Sequence, residues 1–83
     1  MKKEHIHQKL HDIVKIYLPQ DVDASAIEPS SHLMQDLGIN SAHLVDIALD
    51  VEDAFDITLD EKDMEAMQTV ESSVDIVTVK LNN

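Results

Sequence analysis

Residues 40–55 read NSAHLVDIALDVEDAF, and the periodicity of this stretch decides the fold. At about 100° per residue, Leu44, Ile47, Ala48, Val51 and Phe55 fall on one face, which must meet a core. Asp46, Asp50 and Asp53 fall on the opposite side. Val45 and Leu49 lie off the core stripe, on the side nearer Ser41. Asn40 and Ser41 are both residue types that cap helix N-termini, so the helix starts at one of them.

Upstream, Ile6, Leu10, Ile13, Val14 and Tyr17 form a second apolar stripe, with Gln8, Lys9, Asp12 and Lys15 toward water and Pro19 as the stop. The connection from Gln20 to Asn40 is long for so small a domain, which points to function or to structure of its own. Ile27, Leu33, Leu37 and Ile39 can pin it to the core, and Ser30 or Ser31 can cap a short turn. Gly38, the only glycine, then ends that turn or permits an unusual backbone angle.

Downstream, Ile57 and Leu59 alternate around Thr58 in an extended link. Asp60 and Asp63 read as the capping box of a short third helix that buries Met64 and Met67. Thr69 can cap a last helix with Val70, Val74, Val77 and Leu81 inward. Its β-branched content would suit a strand, but a lone strand has nothing to pair with. The expectation is an all-α protein, a four-helix bundle with a long loop between helices one and two and a short third helix. Residues 1–83 form one domain.

A chain of 83 residues buries only about 60–65% of its unfolded surface, so a core and a substrate-enclosing pocket would compete for the same side chains. The net charge is -11, every basic residue is a lysine, and none lies between Lys15 and Lys62. Nucleic acid and anionic membrane surfaces should be repelled, and a protein with a basic patch is the natural partner. With no cysteine there is neither a disulfide nor a thiolate metal site, and thiol chemistry would require an added group. The charged N-terminus is not followed by an apolar secretory core, and no stretch is long enough to cross a bilayer. A cytoplasmic monomer is expected.

The run Asp36-Leu37-Gly38-Ile39-Asn40-Ser41 resembles the D-L-G-x-D-S-L motif of acyl and peptidyl carrier proteins, whose serine receives phosphopantetheine. The resemblance continues through Phe55-Asp56-Ile57, Asp60-Glu61 and Thr69-Val70, covering nearly the whole chain in register. It implies a discrete acyl carrier protein and not an enzyme. Ser41 would accept its arm from coenzyme A through a phosphopantetheinyl transferase. The arm would hold acyl intermediates as thioesters for enzymes of fatty acid, polyketide or related secondary-metabolite biosynthesis. By the same resemblance, Ala42, Asp46, Glu52 and Asp53 belong to the docking face, and Val45 and Leu49 join it by their nearness to Ser41. Asp50 matches no recognition position and reads as solvated surface.

Two residues depart from the pattern. Asn40 stands where aspartate is usual, and Ala42 where leucine is usual. Asparagine caps a helix about as well as aspartate, so the fold should not suffer, while the lost charge bears on transferase recognition. Ala42 removes an apolar contact where partners dock.

Other chemistries fit less well. A serine hydrolase needs a base beside its nucleophile, yet His43 lies about 200° around the helix from Ser41. His7 and His11, one turn apart with Glu4 nearby, have a metal-ligand spacing, but exposed histidines on a polar face are the plainer reading. A calcium loop around Asp50, Glu52 and Asp56 fails because Phe55 stands where glycine is required. A second function remains open: a carrier-like acidic adaptor, never modified, that binds a basic partner. It differs from the first only in the state of Ser41.

Overall fold

In the computed structural model, which describes residues 2–82, the first stripe forms α1 (Lys3–Ile16), burying Ile6, Leu10, Ile13 and Val14. Glu4 in its first turn and Lys15 in its last complement the helix dipole. Tyr17, placed with this stripe by spacing, is the C-cap and is only partly buried. The second stripe forms α2 (Ser41–Phe55), with Ile47, Ala48, Val51 and Phe55 buried and Leu44 partly so. It ends on Asp56 in the left-handed region (φ 54°), whose N–H returns to the Glu52 carbonyl.

Both short-range capping expectations hold. Asp60 and Asp63 close a capping box at α3 (Glu61–Ala66), and Thr69 closes another with Ser72 at α4 (Val70–Leu81). Met67 is buried just beyond α3, while Met64 is half-buried. The β-branched last segment is helical because its cap is complete and Val70, Val74 and Val77 share one buried stripe. Leu81 closes that stripe half-buried. Helix α1 packs against both α4 and α2, and α3 rests on α4.

The long connection is tied down at several points. A 3-10 turn, Ala24–Ala26, is capped by the Asp23 side chain. Further on, the chain runs alongside the entrance to α4. The Leu33 N–H donates to the Gln68 carbonyl (2.8 Å), the Val70 N–H to Ser31 (3.1 Å) and the Glu71 N–H to Pro29 (2.8 Å). Leu33, Leu37 and Ile39 are buried and Ile27 partly so.

Neither serine caps the turn that follows. The Ser31 hydroxyl faces back, accepting from the Glu28 N–H and donating to the Ala26 carbonyl. With its own carbonyl bound to α4, residue 31 braces the upstream loop, and the cap falls to His32. Gly38 has φ +72°, a conformation that strains any side chain. A Cβ there would meet only Pro19 Cγ at an ordinary 3.4 Å, so the constraint on residue 38 is conformational, not steric.

Candidate functional site

Ser41 is the first residue of α2 and is exposed. Its position is fixed from both sides. Upstream, the buried Leu37 and Ile39 anchor the chain, and the Ile39 N–H donates to the Leu33 carbonyl at 3.0 Å. At the helix entrance, Asn40 Oδ1 accepts from the His43 N–H at 2.8 Å. Asparagine thus makes the cap that aspartate would, without its charge. The Ser41 and Ala42 N–H groups have no partner inside the helix, and the first turn of α2 carries no acidic side chain. A phosphodiester on Ser41 would meet free N–H donors and the positive helix end, worth about 0.3–1 kcal/mol when exposed. The residues present therefore fit such a group.

The remaining surface of α2 divides into three. Ala42, Asp46, Leu49 and Asp53 are exposed and occupy the outermost strip, within about 60° of one another. Val45 borders them, and it and Leu49 expose 51% and 52% of their surface. Glu52, expected on the docking face, is half-buried, and its carboxylate accepts from the Leu59 N–H at 2.7 Å. One of its oxygens is committed to the fold.

Asp50 corrects the reading of a solvated carboxylate. It is half-buried, and the Tyr17 hydroxyl donates to it at 2.5 Å. That bond pushes the phenol up to about 12, helped by partial desolvation and by the charges of Asp50 and Asp46. The Tyr17 ring also lies 5.5 Å from the His43 ring, tilted by 49°. Tyr17 thus ties the end of α1 to one flank of α2, away from Ser41. A lone tyrosine closing an apolar stripe signals a hydroxyl in need of a partner, but spacing cannot name a partner 33 residues away.

Two of the cavities on the bundle are lined by residues singled out in the sequence. One, of about 310 Å³, is lined by Met34, Leu44, Met64 and Met67, with His32, Gln35, Glu65 and Gln68 supplying polar groups. It opens beside the first turns of α2. The other, of about 240 Å³, has Glu4, His7 and His11 on its wall. Among the described residues, no group of three or more His, Cys, Asp or Glu side chains is arranged to hold a metal ion. Among the same residues, no helix is long and apolar enough to cross a membrane.

Residues 8–77 match the family model described as the phosphopantetheine attachment site. The acyl carrier protein of Petrotoga mobilis is 30% identical over 82 residues, spanning 99% of this chain and 94% of that protein. The acyl carrier protein of Coprothermobacter proteolyticus is 35% identical over 77 residues, covering 93% and 92%. That of Desulforapulum autotrophicum is 38% identical over 61 residues, covering 74% and 79%. Such proteins are carriers with a covalently attached phosphopantetheine group, and they work with partner biosynthetic enzymes. With a helical bundle matched along nearly its whole length, the chain belongs to the phosphopantetheine-bearing acyl carrier protein family.

Proposed function

We propose that Ser41 is the attachment point and that the chain carries acyl intermediates for fatty acid, polyketide or related secondary-metabolite biosynthesis. The observation that carries this reading is the exposed Ser41 hydroxyl at the acid-free first turn of a capped helix. In the transferase, that oxygen bonds to the phosphorus bearing the pantetheine of coenzyme A. The adenosine bisphosphate leaves, and the hydroxyl proton passes to the transferase or solvent. The arm supplies the thiol that this cysteine-free chain lacks. The cavity under Leu44 offers the apolar end of a tethered acyl group a place beside the helix.

Intact mass after incubation with coenzyme A and a broad-specificity transferase should rise by one phosphopantetheine, and Ser41→Ala should abolish the gain. Label on another serine would show that the attachment point is misplaced, and none under forcing conditions would leave the unmodified acidic adaptor as the function.

Docking belongs to the same proposal. Partners approach the start and outer strip of α2, where Asp46 and Asp53 attract a basic patch and Ala42, Val45 and Leu49 give a small apolar contact. Glu52 adds its charge from the edge of this strip. Complementary charge mainly raises the association rate, and the gain fades with salt. Reversing Asp46 and Asp53 to lysine should slow association with the transferase and flatten its salt dependence, with circular dichroism unchanged. Reversing Glu4 and Asp12 on α1 should matter much less. Equal effects from the two pairs would mean that net charge alone is at work and the strip is wrongly placed.

A further inference from the structure

The turn spanning residues 33–37 leads the backbone into Gly38 and the start of α2, and a histidine caps it. His32 Nδ1 accepts from the backbone N–H of Met34 (3.3 Å) and of Gln35 (3.1 Å). The His32 N–H donates to the Asp36 carboxylate at 2.7 Å, and its carbonyl accepts from the Asp36 and Leu37 N–H groups. The ring nitrogen stands where a Ser, Asn or Asp oxygen usually caps. Those oxygens keep their lone pairs at any pH near neutrality. An imidazole nitrogen does not, because Nδ1 accepts only while the ring is neutral with its proton on Nε2.

We propose that His32 is a proton-sensitive latch on this turn, closed when the ring is neutral and released when Nδ1 takes up a proton. A proton on Nδ1 would point at two N–H groups, so protonation and the closed cap exclude each other. Two carboxylates belong to the surroundings of His32 and can receive the ring once displaced. Asp36 lies on the same turn, and Glu65 of α3 stands across the cavity that His32 lines. The other lining residues, Met34, Gln35, Leu44, Met64, Met67 and Gln68, carry no charge. Release is local. Leu33, Leu37 and Ile39 stay buried, and the bonds from Leu33 to Gln68 and from Ile39 to Leu33 do not involve the ring. The freed groups are the Met34 and Gln35 N–H, and both residues line the cavity beside α2. The latch stands without the arm; only its effect on a tethered acyl group rests on the function proposed for Ser41.

The test uses the full-length chain carrying Ser41→Ala, so that the outcome does not depend on modification. Imidazole nitrogen shifts should show the Nε2–H tautomer of His32 at about pH 8. Amide-exchange protection, corrected for intrinsic exchange, should fall about tenfold or more at Met34 and Gln35 between about pH 8 and pH 5. Protection at Leu33 and Ile39 should hold over the same range. With His32→Asn, whose oxygen caps without titrating, protection at Met34 and Gln35 should stay level. An Nδ1–H tautomer at about pH 8, level protection in the histidine protein, or an equal fall in the asparagine variant would each overturn the latch. The tautomer reading needs no variant, so it decides even if His32→Asn folds poorly.

Discussion

Tyr17 is the only tyrosine and the chain has no tryptophan, so its phenol can be titrated by ultraviolet absorbance without interference. The hydrogen bond to Asp50 holds the neutral phenol and raises its ionisation to about 12 from the ordinary value near 10.0. For an acid whose folded value is raised, the stabilisation is complete below the unfolded value and is lost as pH rises through the folded one. The contribution should therefore be intact at neutral pH and disappear between about pH 10 and 12. The absorbance midpoint should lie well above 10.0, and Asp50→Ala should bring it back toward that value. An unchanged midpoint in the variant would show that the Tyr17–Asp50 bond does not form in solution. At this scale the sequence was uneven. Ser41 and the Asn40 cap could be read because helix-start chemistry acts over two or three residues. The Asp50 and Glu52 bonds could not, because each depends on how separate elements approach in space.

The link between α2 and α3 shows how one carboxylate sets an element boundary. Ile57, half-buried, and Leu59, buried, turn inward as their alternation predicts, but the Leu59 N–H lies outside any helix and needs an acceptor. Glu52 provides it. Removing one partner of a partly buried bond costs about 1–2 kcal/mol, and more when the acceptor is charged. Glu52→Ala should thus lower the urea midpoint by about that free energy, whereas Glu52→Gln keeps an acceptor oxygen and should lose less. Equal losses would mean that packing, not the hydrogen bond, explains the effect. The helices themselves were legible, down to the boxes at Asp60 and Thr69, since stripes and caps are local rules. The Gln20–Asn40 connection was legible only in its apolar anchors. Its backbone partners lie on α4, and no periodicity within the loop points there.

For the whole molecule, charge is unevenly placed. Lys2, Lys3, Lys9 and Lys15 sit at one end of the chain, and the net charge is -11. Among the described residues, two lysines are paired, Lys3 with Asp75 (3.2 Å) and Lys80 with Asp63 (2.7 Å). The second pair, with the Asp60 N–H, holds the Asp63 carboxyl below its ordinary range. Such partly exposed pairs contribute little, so repulsion among the unpaired carboxylates should dominate the response to salt. The melting temperature should rise with added sodium chloride as the screening length falls to about 8 Å. A flat or falling profile would mean the carboxylates are already compensated in the fold. The bonds between residues 29–33 and 68–71 also set an order of events. A ribosome delivers the stretch around Ser41 well before Gln68, Val70 and Glu71 emerge. Until they do, the backbone of residues 29–33 lacks the partners that hold it. On the function proposed for Ser41, maturation is thereby tied to the synthesis of α4: a nascent fragment lacking it presents the serine after a loop without those bonds, and a chain that carries α4 offers a transferase the finished surface.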